Sequence, residues 1–185
     1  NNIVSLGAAN IDSNIAYLLA EQNLSGLEFL VGIPGNIGGA IATNAGCYGS
    51  EISDRLISVE AVHRKTGKIH LLQKSDFNFS YRNCPIKSEF LFTKAMFELE
   101  YEDASKVKAR LKEITSNRSS TQPIKERTGG STFKNPLGKK AWELIDAAGM
   151  RGAKIGGAQV SKKHCNFLIN TGDATASDIE NLGDL

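Results

Sequence analysis

Alternating apolar and polar residues predict β-strands in the first 101 positions of the chain. One strand is expected at residues 3–8, and residues 56–63 and 68–73 are expected to form a hairpin that turns at Thr66-Gly67. Residues 90–101 alternate over their whole length. They therefore predict one long strand.

Apolar residues spaced three and four positions apart predict helices. The first carries Ile15, Leu18 and Leu19 and ends near Asn23 to Gly26, and Asp12 or Ser13 is expected to cap its start. Three more helices are predicted over residues 103–117, 141–148 and 176–182. The last of them stops close to the end of the chain, with no segment after it on which to dock.

The second half of the chain has a mixed order of elements. Val107, Leu111 and Ile114 form one face of the helix at 103–117, which is expected to open a second unit. Residues 118–140 look like a basic loop, and strands are expected near 155–160 and 166–170. Because strands and helices do not alternate regularly, the predicted fold class is α+β.

The composition is that of an ordinary folded protein, with 41% hydrophobic residues, 23% charged residues and a net charge of +2 over 185 residues. No run of apolar residues is long enough for a membrane span, and no signal peptide is visible. Because the chain starts at Asn1 and directly in a strand-like stretch, we expect it to be a fragment.

The positive charge is concentrated in one segment. Residues 104–140 contain ten basic and two acidic residues, a net +8, which leaves −6 for the rest of the chain. Such a segment is either a solvated helix face followed by a loop or an attractor of anionic ligands. Nucleic acid is weakly supported, because the basic residues are not interleaved with aromatic ones.

The three cysteines, Cys47, Cys84 and Cys165, are widely spaced and form no CxxC pair. This usage favours reduced thiols, and no metal site is expected. His164 precedes Cys165, but neighbours in a strand point to opposite faces. A catalytic thiol–imidazole pair is therefore not expected.

Two glycine-rich stretches form the strongest local signal: GIPGNIGG at residues 32–39 and NAGCYG at residues 44–49. A glycine-rich turn that opens a helix exposes N–H groups to an anion, but the same glycines also suit tight packing of a helix on a sheet. The spacing is neither that of a Rossmann fingerprint nor that of a Walker A loop. The glycines alone leave both interpretations open.

Two further motifs could carry chemistry. Ser131 follows two glycines in GGSTFKNP, where it is either a proton donor or nucleophile, or part of an ordinary loop. Arg82 follows Tyr81 in SYRNCP, where it is either a carboxylate clamp or a structural surface residue.

The order of these motifs is more specific than each of them alone. The succession GIPGNIGG, NAGCYG, SYRNC, TQP, GGSTFKNP and AWELIDAAGMRGAKIGGAQVSKKHCNF closely resembles the UDP-N-acetylenolpyruvoylglucosamine reductase family. The resemblance covers nearly the whole chain. It is to the shorter form of the family, which lacks a Tyr-bearing insertion.

This resemblance implies a flavoenzyme of peptidoglycan precursor synthesis. The family uses NADPH and bound FAD to reduce the enolpyruvyl ether of UDP-N-acetylglucosamine to UDP-N-acetylmuramate, in the cytoplasm. Residues 1–103 would be the second part of a vanillyl-alcohol-oxidase-type FAD-binding domain. Residues 104–185 would be most of an α+β substrate-binding domain.

The resemblance also implies roles for single residues. Arg82 and Ser131 would be catalytic, Ser131 as the proton donor, and Tyr81, Arg82, Lys134 and Asn135 would bind the substrate. Cys84 stands where the family's YRxS motif has Ser, which puts a hydroxyl hydrogen bond from that position in doubt. FAD would be lined by Gly32, Ile33, Pro34, Gly35, Gly38, Gly39, Asn44, Gly46, Tyr48 and Gly49.

The chain departs from the family pattern at both ends. It shows neither the family's preceding glycine-rich phosphate loop nor its C-terminal motif with a catalytic Glu. We therefore expect the 185-residue chain alone to bind FAD weakly or not at all. The alternatives are a flavin oxidase with another substrate and a non-catalytic nucleotide-sugar or nucleic-acid binding module.

Overall fold

The computed structural model describes residues 2–185 and shows helices and antiparallel sheets, which confirms the predicted α+β class. The chain divides into two compact units, the first extending to Ser116 and the second covering Asn117–Leu185. No helix among the described residues is both long and apolar enough to cross a membrane.

The first unit is built around a four-stranded antiparallel sheet with the strand order β1-β7-β5-β6. Its elements are β1 (Ile3–Gly7), α1 (Asp12–Glu21), β2 (Leu24–Ser25), α2 (Ile37–Thr43), β3 (Gly46–Cys47), β4 (Ser50–Glu51), α3 (Ile52–Arg55), β5 (Leu56–His63), β6 (Ile69–Gln73), β7 (Phe90–Glu98), β8 (Glu100–Tyr101) and the long helix α4 (Ala104–Thr121). Short 3₁₀ helices lie at Glu28–Gly32, Lys74–Phe77 and Pro85–Ser88.

The predicted hairpin is confirmed, because β5 and β6 pair antiparallel and Gly67 adopts a φ of +69° in the turn. The predicted strand at 90–101 is wrong in one respect, since it breaks at Leu99 into β7 and β8. Leu99 is buried in the core, and β8 leaves the large sheet to pair with β2. The break depends on pairing with a distant strand, so the alternation of apolar and polar residues does not predict it.

Helix α1 lies where it was predicted, but two details differ. Ile15 and Leu19 are buried, whereas Leu18 is 51% exposed. The N-cap position belongs to Ile11, which makes no side-chain cap. The prediction that Asp12 or Ser13 caps the helix is therefore wrong.

Helix α4 is longer than predicted and spans the point where the two compact units divide. Its first half packs Val107 and Leu111 into the core of the first unit. The units separate at Ser116–Asn117, inside the helix. The functional domain boundary at 103/104 stays a prediction.

The second unit has its own antiparallel sheet, with the order β10-β11-β12-β9, and its own small core. Its elements are β9 (Thr128–Ser131), α5 (Ala141–Ala147), β10 (Lys154–Ile155), β11 (Ala158–Val160), β12 (Phe167–Asn170) and α6 (Ala176–Asp184).

Three predictions for this unit are corrected. The stretch 118–140 is not all loop, because β9 pairs with β12. The strand at 155–160 is a tight hairpin that turns at Gly156-Gly157. Helix α6 does have a docking surface, since Leu182 is buried in the second core.

Candidate functional site

The glycine-rich segment at residues 32–39 enters α2 through a side-chain cap. Asn36 accepts a hydrogen bond from the Gly39 N–H at 2.9 Å through Oδ1. The N–H of Ile37 donates to Asn10 O at 3.0 Å, and the N–H of Gly38 donates to Ala8 O at 2.9 Å. Protein acceptors therefore use the N–H groups of all three residues, which favours the packing interpretation over the anion-site interpretation at this helix start.

Two glycines of this segment, Gly35 and Gly38, are closely packed. A Cβ on Gly38 would lie 3.0 Å from the Cβ of Ala8, and a Cβ on Gly35 would lie 3.1 Å from Oδ2 of Asp12. Upstream, the N–H of Ile33 closes the 3₁₀ turn onto Leu30 O at 3.0 Å, and Pro34 follows. The packing interpretation of GIPGNIGG thus has direct support.

Asp12 lies beneath this segment as a buried carboxylate. The residue is 0% exposed, and neither carboxylate oxygen has a hydrogen-bond partner among residues 2–185. Burial raises the pKa of Asp12 to about 7, because the charged form is poorly solvated. Its own N–H donates to Gly35 O at 3.1 Å, which ties α1 to the loop.

The second glycine-rich stretch forms the small hairpin of β3 and β4. Tyr48 and Gly49 occupy its two-residue turn with φ values of +55° and +83°, as a type I′ turn requires. Gly46 has no room for a side chain, since a Cβ there would clash with Ser50 O and Glu51. A Cβ on Gly32 would be 3.6 Å from the Tyr48 ring, so the two stretches lie side by side.

Arg82 reaches this hairpin from the SYRNC turn. Its Nη1–H donates to Asn44 O at 3.4 Å, and its Nη2–H donates to Gly46 O. The guanidinium carbon lies 5.0 Å from the centre of the Tyr81 ring, within cation–π range. The structure therefore brings Arg82 and Tyr81 together with the second predicted flavin-lining stretch.

Cys84 stands at the position where the family motif has Ser. It is 0% exposed and belongs to the hydrophobic core of the first unit. Burial raises the pKa of its thiol. The side chain at this position contributes to packing in the core, so a Cys is accommodated there.

A cavity of about 320 Å³ lies beside the start of α2 in the first unit. Gly38 and Gly39 border it, together with Arg64, Lys87 and Phe90. The Arg64 Nε–H donates to Phe90 O at 3.2 Å, which holds the guanidinium at the cavity. Small residues for close approach, an aromatic wall and two cations fit a ligand with a diphosphate and a flat ring, as FAD has.

Ser131 ends β9 in the second unit and lines a cavity of about 640 Å³. Arg127, Gly130, Asn170 and Ile179 also line it. Ser131 is exposed and is therefore accessible to a ligand. Sequence reasoning missed Arg127 as a cation in this cavity.

Lys134 and Asn135 lie on the exposed loop after Ser131 but are not among the residues that line this cavity. Asn135 Oδ1 accepts a hydrogen bond from the Ala141 N–H at 3.0 Å, at the start of α5. The side-chain oxygen of Asn135 is therefore hydrogen-bonded to the helix, and its Nδ2–H₂ group is the one that it can offer to a ligand.

Not all of the basic segment is available to an anion. Arg110 binds Glu28 Oε1 at 2.6 Å and also pairs with Glu102, so its charge is compensated. Among the described residues no group of three His, Cys, Asp or Glu side chains is arranged to hold a metal ion.

Comparison with known proteins matches both halves of the chain. Residues 1–73 match the model of an FAD binding domain, and residues 122–185 match that of the UDP-N-acetylenolpyruvoylglucosamine reductase C-terminal domain. The reductase of Parvibaculum lavamentivorans is 52% identical over 98% of this chain and 58% of its own length. That of Orientia tsutsugamushi is 50% identical over the whole chain and 60% of its own length.

The crystal structure of the Thermus caldophilus reductase is similar, with a TM-score of 0.91 and 34% identity over 98% of this chain and 66% of that one. The chain belongs to the UDP-N-acetylenolpyruvoylglucosamine reductase family. It spans about three fifths of the length of the two related reductases.

Membership of the reductase family confirms the predicted order of domains, an FAD-binding part first and a reductase C-terminal part second. The structure also identifies three cavity-lining cations that the sequence alone did not single out. Arg64, Lys87 and Arg127 each lie in a cavity of their own unit, yet their local sequences are ordinary polar runs. Only the fold shows which lysines and arginines border a cavity.

Proposed function

We propose that the protein carrying this chain reduces the enolpyruvyl ether of UDP-N-acetylglucosamine to UDP-N-acetylmuramate. The reductant is NADPH, FAD is the bound cofactor, and the reaction belongs to cytoplasmic peptidoglycan precursor synthesis. Family membership supports this proposal, and one observation carries it. Arg82 is hydrogen-bonded to the carbonyls of Asn44 and Gly46, next to the glycine-rich stretches assigned to the flavin.

FAD would be held in the first unit, beside the start of α2. Gly38 and Gly39 border the cavity in which it would lie, and Arg64 and Lys87 would offset the charge of its diphosphate. When bound, FAD would supply the two-electron hydride-transfer chemistry between NADPH and the vinyl carbon distal to the ether. The remaining chemistry falls to side chains of this chain.

Arg82 would hold the carboxylate of the enolpyruvyl group. Hydride addition to the distal vinyl carbon builds negative charge on the carboxylate side of the double bond. A fixed cation stabilises that charge most effectively when its orientation is set beforehand. Two hydrogen bonds to backbone carbonyls and the Tyr81 ring set the orientation of this guanidinium.

Ser131 would then complete the reduction as a general acid. Its hydroxyl gives a proton to the carbon next to the carboxylate, so that one hydride and one proton are added across the double bond. A serine hydroxyl is a weak acid and needs a nearby positive charge to act. Arg127, which lines the same cavity, is such a charge.

The UDP part of the substrate would be bound by the basic loop after Ser131. Lys134 supplies a charge for the diphosphate, and Asn135 offers its Nδ2 amide. Perturbation of the bound flavin spectrum by UDP sugars would support this reductase. Salt-sensitive binding to DNA without UDP-sugar binding would instead support a nucleic-acid module.

The two half-reactions of the complete enzyme test the proposal. Ser131→Ala should slow substrate-driven oxidation of the reduced flavin by about 100-fold or more, because one general acid is lost. Reduction of the flavin by NADPH should stay within twofold, and Ser120→Ala, an exposed serine on α4, should change neither step. An equal fall in both half-reactions would exclude Ser131 as the proton donor.

A further inference from the structure

Asn44 is buried although it was expected to line the flavin. The residue is 0% exposed and ends α2 in the left-handed region, with a φ of +44°. Its Nδ2–H donates to Ser80 O at 3.2 Å, and its Oδ1 accepts from the Ser53 N–H at 3.1 Å. Both polar atoms of the side chain therefore act within the protein.

Asn44 makes two hydrogen bonds to the SYRNC turn, one through its side chain and one through its backbone carbonyl. The side chain holds Ser80 O, and the backbone carbonyl of Asn44 accepts from Arg82 Nη1 at 3.4 Å. The turn itself is closed by hydrogen bonds between Ser80 and Asn83 of 3.0 and 3.2 Å. One buried residue thus contacts both the backbone and the guanidinium of the segment that carries Arg82.

Arg82 needs such support for two reasons. Its backbone adopts a φ of +53°, a region that non-glycine residues enter only when surrounding contacts hold them there. Its side chain is long, and an arginine left free samples many rotamers. The hydrogen bond to Ser80 restrains the backbone of the turn, and the two carbonyls restrain the side-chain rotamer of Arg82.

We infer that Asn44 is a positioning residue for Arg82, and that it acts through this arginine rather than by contact with FAD. The inference rests on the proposed function, in which Arg82 binds the substrate carboxylate. It replaces the expected cofactor contact of the Asn44 side chain with a role in the substrate half-reaction.

Asn44→Gly separates the positioning role of the Asn44 side chain from the role of its backbone in ending α2. Glycine keeps the left-handed conformation at the end of α2 and removes both side-chain hydrogen bonds. In the complete enzyme, substrate-driven oxidation of the reduced flavin should fall at least tenfold, while flavin reduction by NADPH and FAD affinity stay within twofold. Asn78→Gly is the matched control, since Asn78 is also left-handed, with a φ of +46°, but is exposed.

A double-mutant cycle shows whether Asn44 acts through Arg82. In an Arg82→Ala background, Asn44→Gly should slow flavin oxidation by less than a further twofold, because the group that it positions is gone. Losses that multiply would overturn the inference. If Asn44→Gly does not fold, Asn44→Asp, which keeps the acceptor for Ser53 and loses the donor to Ser80, gives the same comparison.

The same variants separate a failure of the positioning role of Asn44 from a failure of the substrate-binding role of Arg82. If Arg82→Ala slows flavin oxidation but Asn44→Gly does not, only the positioning inference fails. If Arg82→Ala itself leaves that step unchanged, the role of Arg82 in the proposed function fails, and the role of Asn44 fails with it.

Discussion

The side chain of Asn166 forms hydrogen bonds with both the N–H and the carbonyl group of Phe133. Its Oδ1 accepts from the Phe133 N–H at 2.9 Å, and its Nδ2–H donates to Phe133 O at 2.8 Å. The backbone carbonyl of Asn166 also accepts from the Thr132 N–H at 2.8 Å. Asn166 therefore continues the pairing of β9 for two residues beyond Ser131.

Asn166→Ala should destabilise the chain by about 1–2 kcal/mol, because two hydrogen bonds from a buried side chain are lost. The exposed loop after Ser131 should become more accessible to protease at the same time. Urea unfolding and limited proteolysis measure the two effects. Asn117→Ala, an exposed asparagine on α4, is the control and should change stability by less than about 0.5 kcal/mol.

Asp12→Asn should stabilise the 185-residue chain in a pH-dependent way. Burial raises the pKa of Asp12 from 3.8 to about 7. Between these values the folded state binds more protons than the unfolded state, so wild-type stability falls as the pH rises from about 4 to about 7. The gain from Asn should therefore be absent near pH 4 and on the order of 2–4 kcal/mol at pH 8.

Denaturant unfolding of the two proteins at several pH values between 4 and 8 tests this. Glu21→Gln removes an exposed carboxylate from the same helix and should leave the pH profile of the wild type unchanged. A stability gain that is equal at pH 4 and pH 8 would show that folding does not raise the pKa of Asp12.

Arg110→Met should destabilise the chain by about 1–2 kcal/mol at neutral pH, a value reduced because the arginine side chain is 40% exposed. Burial alone would raise the pKa of Glu28, but its hydrogen bonds to Arg110 and the backbone lower the pKa below 4.5. A carboxylate whose pKa is lowered by folding stabilises the folded state at pH values above its pKa in the unfolded chain. This stabilisation is lost as the pH falls through its pKa in the folded chain. The difference between wild type and variant should therefore shrink in acid.

Urea titrations at pH 7 and pH 3 measure that difference. Lys108→Met, an exposed cation on the same helix, is the control and should have little effect at either pH. A loss that stays the same at both pH values would point to lost packing of the arginine stem instead of the ion pair.

Local patterns along the chain predicted the class, the β5–β6 hairpin and α5, because each depends on neighbours a few residues apart. The features that were missed depend on distant partners. The Leu99 break comes from the pairing of β8 with β2. A strand at Thr128–Ser131 was not predicted, because its glycines and basic neighbours look like a loop, and its partner β12 begins at Phe167.

The candidate site shows the same division. The glycine-rich stretches and Arg82 were recognised from motifs, but two of the N–H groups that begin α2 donate to the carbonyls of Ala8 and Asn10, on another segment. Asn44 and Ser80 are 36 positions apart along the chain. Spacing within a motif cannot show which of its polar groups are already occupied by the protein.

Gly157→Ala should be the most damaging glycine substitution in the second unit. A Cβ on Gly157 would lie 2.7 Å from the Cα of Ala174, and the Gly157 carbonyl also accepts from the Thr171 N–H at 2.9 Å. The turn cannot move away without breaking that bond, so a loss of about 1–3 kcal/mol is expected.

Gly129→Ala is the control for this substitution, because nothing lies within 4 Å of its Cβ position. It should be neutral, or stabilising by up to about 1 kcal/mol through the unfolded state. Thermal unfolding of both variants tests the pair. Because Gly157 fixes the start of β11 against the segment that leads into α6, equal melting temperatures for the two variants would mean that this segment yields to the added methyl group.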